Sequence, residues 1–384
     1  MVQIDTQQLP STAMGRRFTP KGHNNRSRHT RRGANIVCGH GATGPQLTEC
    51  AARGHGGCQI FVDVLTRFAE QSRNPRLRPI IRRAGAPVRV AVRGRNGVGR
   101  TTVAAALADA GVAVTADGAA ADITVLVIAE TLKPEDRLTV SRSQQPTVVI
   151  LNKADLAGFG IGGPLAAAQR QAEALSSISS LGTPTVPMAG LLAVAELDDE
   201  LMAALRVLVD APADLTSTDA FVQSEHALSG EVRRRLLAAL DRFGIAHAVL
   251  AVENGADATD VSAMLHRLSR VEDVVAQVDA LGAPVRYRRV RAAIGELNAL
   301  AVQSGDAELA ELLRADDTVL AVMGAAVEVV EAEGMHVDRG DGPAAHRRRA
   351  AYWRRYGSGP VNALHRSCSA DICRGSLRLY GRSR

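Results

Sequence analysis

The apolar positions change period along the chain, and the changes mark its organisation. Ile60, Val64, Leu65 and Phe68 recur at the spacing of one helical face. A basic connector follows, with Arg73, Arg76, Arg78, Pro79, Arg82 and Arg83. From there to about residue 210, short Val/Ile runs alternate with Ala/Leu-rich stretches. The runs predict strands at 88–92, 111–115, 123–128, 147–151 and 184–187, and the stretches predict helices at 100–109, 164–180 and 197–209. Such alternation predicts an α/β fold built on a parallel sheet. After a loop at 212–219 the period becomes helical throughout, with helices predicted at 225–243, 258–268, 285–303 and 317–333. Gly244, Gly255, Gly282 and Gly305 punctuate that region as helix stops. No fixed-period repeat is present, which excludes a solenoid reading. Residues 1–58 show no apolar period and are expected to be disordered, and 336–384 are expected to be a basic, flexible tail with short amphipathic pieces. The expected order is therefore 1–58 disordered, 59–87 leading helix and connector, 88–212 α/β domain, 218–335 all-α helical domain and 336–384 tail.

Composition refines this picture. Of the 384 residues 46% are hydrophobic but only 3% aromatic, so the core must be Ala, Val and Leu. No run approaches the ~18 apolar residues of a membrane-spanning helix. The best candidate, Val319 to Val330, is short and holds Glu328. The first twenty residues lack the apolar stretch of a signal peptide, and the expectation is a cytoplasmic protein, peripheral at the membrane if it meets one. Residues 1–58 hold eight Lys/Arg against two acids, and 336–384 hold eleven Arg against three. With +6 and +8 at the ends and +6 over the whole chain, the stretch between carries −8. Two basic ends favour an anionic partner, RNA or an anionic membrane, or are simply solvated. Tyr352-Trp353-Arg354-Arg355-Tyr356 fits stacking on single-stranded nucleic acid or an interfacial anchor. It fits equally a tail that docks and buries the only Trp.

Lys21, Lys133 and Lys153 are the only lysines among 46 Lys and Arg, and the chain is rich in Ala and Gly. That is the signature of a GC-rich genome, as in actinobacteria, where a start codon placed too far upstream would account for 1–58. Five cysteines argue against a full disulfide framework. Cys38, His40, Cys50, His55 and Cys58 have zinc-ligand chemistry but no compact zinc spacing. Cys368 and Cys373 are expected to be free thiols.

Two motifs carry chemistry. Strand-like Val88–Val92 runs through Arg93 into Gly94-Arg95-Asn96-Gly97-Val98-Gly99-Arg100-Thr101-Thr102. This is the spacing of a phosphate-binding loop, Gly, four residues, Gly, Lys, Ser/Thr, with Arg100 in the lysine's place. Its glycines let backbone N–H groups converge on phosphate oxygens, the following helix adds its positive end, and the Thr101 hydroxyl ligates Mg²⁺. A Gly-rich turn of another α/β protein is the alternative. The second motif ends the strand Thr147–Leu151 in Asn152-Lys153-Ala154-Asp155. An Asp carboxylate there accepts two N–H groups of guanine, a pairing adenine does not offer, while the Asn donates to the ring and the Lys stem covers the base. Binding of this kind rejects the wrong base strongly.

With these motifs the chain resembles the Era-like and dynamin-like bacterial P-loop GTPases, the isoniazid-inducible actinobacterial type among them. The resemblance covers about residues 60–335 and is most specific over 88–155. Ala121 to Glu130, Pro134-Glu-Asp136 and the Asn152 tetrad are similar to that family's central strand, helix and base-reading strand. The resemblance implies a P-loop NTPase-type sheet, GTP or GDP with Mg²⁺ as ligands, and a contact from the Ala189 N–H to the guanine oxygen. It implies phosphate contacts from Gly94, Asn96, Gly97, Gly99, Arg100, Thr101 and Thr102, and base contacts from Asn152, Lys153 and Asp155. Three departures count against turnover: about twenty residues replace the switch region, no Asp-x-x-Gly follows a strand there beyond Asp117-Gly118, and no Gln or His is placed for a water. The expectation is a reduced G domain that binds guanine nucleotide with weak or absent hydrolysis, coupled to a helical domain through which copies could associate. The rivals are a pseudo-GTPase scaffold that binds no nucleotide, and a protein that acts through its basic ends.

Overall fold

The computed structural model describes residues 56–158, 160–178 and 182–383. Expectations for the N-terminal residues, including Cys38, His40, Cys50 and His55, lie outside the described residues. A leading helix α1 (Gly57–Ser72) and a short α2 (Leu77–Ala84) precede the sheet. Strands β1 (Arg89–Gly94), β2 (Ala113–Val114), β3 (Ile123–Ala129), β4 (Thr147–Asn152) and β5 (Thr185–Met188) pair in parallel in the order β2-β1-β3-β4-β5. The α/β class and the parallel sheet agree with the periodicity.

Alternation along each strand divides the core into two faces. Val90, Ile123, Val125, Val127, Val148 and Ile150 pack against α3 (Arg100–Asp109). The opposite positions Leu126, Ile128, Val149 and Leu151 pack against α4 (Pro134–Arg142) and α5 (Gly163–Ile178). Strands buried on both faces read as continuous Val/Ile/Leu runs, and these do. The crossover from β1 uses one face and those from β3 and β4 use the other, so the direction of winding reverses between β1 and β3.

The helical remainder comprises α6 (Gly190–Ala193), α7 (Asp199–Asp210), α8 (Thr218–Gln223), α9 (Gly230–Glu253), α10 (Ala258–Ser269), α11 (Val271–Ser304), α12 (Ala307–Arg314) and α13 (Asp316–Ala332). It is not set apart from the sheet. Val271, Val274 and Val278 of α11 complete the α3 face of the sheet. Further along the same helix Tyr287, Val290 and Leu297 join α1, α2 and α13 in a second core. Arg289 fixes the junction with two bonds, 2.9 and 2.8 Å, to the Asp122 carboxylate, which also accepts the Arg89 N–H at 2.8 Å. Gly282, read from sequence as a stop, lies inside α11, where a Cβ would crowd the Arg286 guanidinium and touch Val88. Gly305, with φ +63, does cap that helix.

The C-terminal stretch corrects the expectation of a flexible basic tail. Residues 336–384 contain α14 (Pro343–Gly357) and α15 (Ala363–Arg382), which pack on each other and on α13. Ala345, Ala350, Trp353, Cys368 and Ile372 are buried, Trp353 to 1% exposure. Arg349 is internal, bonding Ser376 Oγ at 2.9 Å and the Asp338 carbonyl at 2.6 Å. Asp371, 2% exposed, accepts the Tyr287 hydroxyl at 2.8 Å. Burial pushes the neighbouring Cys368 thiol up to about 12. The docking alternative for the Trp thus holds, and Trp353 has no free face for a base. Trp353→Ala should cost about 3–5 kcal/mol, the range for emptying a core aromatic site, read as a shift in the urea midpoint. A loss under about 1 kcal/mol would show that the hairpin is not held by this contact. No described helix is long and apolar enough to cross a membrane.

Candidate functional site

The carboxyl ends of β1, β3, β4 and β5 meet at one edge of the sheet, since Gly94 pairs with Val127, and Asn152 with both Ala129 and Met188. In open α/β sheets ligands bind at this edge, where the winding reverses. Here the reversal falls between β1 and β3, and the Gly94–Gly99 loop leaves from that point. Gly94 and Gly99 are where glycine is needed. At Gly94, φ is +153 and a Cβ would stand 2.6 Å from the Val127 carbonyl. At Gly99, φ is +85 and a Cβ would collide with the Asn152 amide. Gly99 is the N-cap of α3 and offers no side-chain cap. The first N–H groups of α3 therefore face the loop without a capping oxygen, the usual condition for an anion at a helix start. Asn96, Gly97, Arg100 and Thr101 are exposed and Thr102 is partly so.

Asn152 joins the two motifs. Its Nδ2 donates to the Val98 carbonyl at 2.9 Å, and its Oδ1 accepts the Gly190 N–H at 2.9 Å. It is 4% exposed. One amide hydrogen and the oxygen of Asn152 are thus engaged in a tie between the glycine loop and the turn after β5. Ala189 departs from expectation. Its N–H donates to the Ser269 carbonyl at 3.0 Å and its side chain is buried, so that N–H is committed to the protein and is withdrawn as a base contact.

Lys153 and Asp155 are left at the edge. Lys153 is exposed in a left-handed turn, φ +60. Asp155 is half-buried in the short 3-10 turn Ala154–Leu156. Burial pushes its carboxyl above the usual range, and the Asp241 carboxylate adds to the shift, while its own backbone amide and Lys153 oppose it. Asp241 sits at a break in α9 with φ +53 and ψ 177, a strained backbone for any L residue. A carboxylate held away from water and near another is one that N–H donors would stabilise.

Two arginines of the loop are spoken for. Arg95 Nε lies 3.2 Å from both oxygens of Asp136, which is 2% exposed and also accepts the Lys133 N–H at 3.0 Å. Arg100 Nη1 donates back to the Gly94 carbonyl at 3.1 Å. The Arg95 latch had no signal in the sequence, because nothing in the motif pairs its second residue with α4. Asp117-Gly118 lies at the other end of the sheet. Its loop leaves where Thr115 N–H meets the Val90 carbonyl and returns where Asp122 N–H meets that of Arg89. Val90 and Gly94 are four steps apart along β1, roughly 13 Å of strand. The shortness of β2, two residues, is the cause. Among the described residues no group of three or more His, Cys, Asp or Glu is placed to hold a metal, and Cys58, Cys368 and Cys373 are free thiols.

No protein-family model matches the chain, nor does any curated protein or solved structure.

Proposed function

We propose that this edge binds a guanine nucleotide, GDP or GTP, and that hydrolysis is slow or absent. The observation that carries the reading is the Asn152 tie. It holds a phosphate-type glycine loop, standing at the winding reversal, against the strand end that bears Lys153 and Asp155. Phosphates would take the uncapped N–H groups of α3 and the loop, with Gly94, Gly97 and Gly99 giving close approach. The guanine N1–H and N2–H would take Asp155, with Lys153 over the base. Mg²⁺ takes oxygen ligands and usually binds through one or two protein groups plus phosphates, and the exposed Thr101 hydroxyl suits that part. Slow turnover follows from what the phosphate end lacks: Asp117 is at the far edge, and phosphoryl transfer depends on placed charges and a placed water.

Titration with fluorescent GDP, GTP and ATP in Mg²⁺ tests this. Guanine should be preferred by about a hundredfold or more, in keeping with sites that pair buried hydrogen bonds. Asp155→Ala should bring the two purines to equal affinity. A variant that keeps its guanine preference would remove Asp155 from the site.

The second reading, a pseudo-GTPase that serves as a scaffold, is favoured by one observation. The Arg100 guanidinium is bonded to the loop's own Gly94 carbonyl, where a phosphate ligand would be needed.

A further inference from the structure

Arg349 lies inside the C-terminal hairpin, where neutral acceptors surround its charge. Its Nε donates to Ser376 Oγ of α15 at 2.9 Å, and its Nη1 donates to the Asp338 and Gly340 carbonyls at 2.6 and 3.1 Å. The remaining contact is His346 Nδ1, 2.7 Å from Arg349 Nη2 and buried one turn earlier on α14. A guanidinium only donates, so this Nδ1 accepts. The contact therefore requires a neutral imidazole with its proton on Nε2. An imidazolium carries hydrogen on both nitrogens and would turn an N–H and a positive charge toward Arg349. His346 also stands in the first turn of α14, whose positive end disfavours a cation. Asp338 and Asp341, in the segment before the helix, pull the other way, while α15 brings the uncharged Ser376 hydroxyl to the cluster. Burial and the Arg349 charge prevail and hold the imidazole below its usual range.

We propose that His346 is an acid-sensitive latch, whose protonation releases α14 from α15 while the rest of the fold stays in place. The cluster around Arg349 is the point where α14, the 338–340 loop and α15 are bonded together. The principal packing partner of α14 is α15. By contrast, α15 has anchors of its own: Cys368 and Ile372 in the helical core, and Asp371 accepting the Tyr287 hydroxyl. The sign follows from the two states. A released imidazole regains its ordinary value near 6.5. Docking is fully supported above that value and weakens as pH falls below it, until the docked form itself takes the proton. Over that window the released population rises by up to about tenfold per pH unit, the limit for one proton. The other buried imidazole of the hairpin, His365, differs in its surroundings. It stands 2.7 Å from the Glu333 carboxylate and 2.6 Å from the Tyr356 hydroxyl, so a proton there gains a partner and does not loosen the hairpin.

Trp353 reports the release directly. It is the only tryptophan, it is buried, and it follows His346 by two helical turns on the same face of α14. Tryptophan emission of the full chain is followed from about pH 8 to about pH 5, across the ordinary imidazole value, with far-UV circular dichroism beside it. Wild type should shift to longer wavelength, keep most of its helicity and return on neutralisation. His346→Asn sets an amide oxygen near the place of Nδ1, so it keeps an acceptor for Arg349 and takes no proton. Its emission should not shift. His365→Asn should shift as wild type does. The inference is overturned by a shift that persists in His346→Asn or vanishes in His365→Asn, by a wild type that does not shift, or by a shift that accompanies loss of most helicity. If His346→Asn is already shifted at the starting pH, amide hydrogen exchange of the wild type decides. Loss of protection beyond the intrinsic pH dependence, confined to Pro343–Gly357, supports the latch. Protection that is retained there, or lost throughout the chain, overturns it.

Discussion

Asn152→Ala should destabilise the protein by about 2–6 kcal/mol and abolish tight nucleotide binding in the same variant. The substitution strands two groups at once, the Val98 carbonyl and the Gly190 N–H, both on buried residues. Each buried group left without a partner costs about 1–3 kcal/mol. Loss of the tie also frees the glycine loop from the strand that carries Lys153 and Asp155. Urea unfolding gives the first quantity and GDP titration the second. Asn152→Asp separates them by chemistry. It still accepts from Gly190 but sets a carboxylate oxygen against the Val98 carbonyl, so it should be worse than a simple half-loss. An alanine variant with unchanged midpoint and unchanged binding would show that the tie holds nothing.

The same residue shows how far the sequence could be read. Strand ends were legible because β3 and β4 are buried on both faces and so appear as unbroken apolar runs that stop at Ala129 and Asn152. The glycine loop was legible because Gly94 and Gly99 answer to backbone geometry, which a spacing rule captures. The use of Asn152 as a tie, and of the Ala189 N–H on Ser269, was not legible. Those bonds join residues 38, 54 and 80 positions apart, and nothing in local pattern encodes them. Gly282 reads as a helix stop, yet α11 continues through it and through Pro284. Packing of Val278 on the sheet and Tyr287 in the helical core holds the helix on each side of the lost Pro284 hydrogen bond. The C-terminal hairpin was obscured by its arginines. Its apolar positions are mainly Ala, Cys and a single Trp, small signals between charges, and only the fold shows that Arg349 itself is interior.

The helical region offers a physical route from the site to the rest of the molecule. Ser269, which ends α10, accepts from Ala189 beside the Asn152 tie, and α11 starts two residues later. Arg289 of α11 then grips Asp122 at the other edge of the sheet. A change in the turn after β5 thus reaches α10 and α11 through hydrogen bonds rather than through a flexible linker.

Arg100→Lys should tighten GDP and GTP binding by about tenfold or more, a gain of about 1.4 kcal/mol. A guanidinium is a planar fork that needs acceptors in its plane, and here it has one, the Gly94 carbonyl at 3.1 Å. An ammonium is a compact charge that the phosphate-loop spacing is built around. Replacing one by the other releases the Gly94 carbonyl and returns the positive charge to the loop's interior. Arg100 is exposed and starts a helix whose capping does not use its side chain, so stability should change by no more than about 0.5 kcal/mol. Affinity and stability therefore separate cleanly. Binding by the Lys variant alone would mean that the wild type is a scaffold silenced at one position. Binding by wild type that weakens on substitution would make Arg100 itself the phosphate ligand, with the Gly94 bond a resting position. Failure of both proteins to bind would end the nucleotide reading and leave the exposed arginines of α14, Arg347, Arg354 and Arg355, as the feature to pursue.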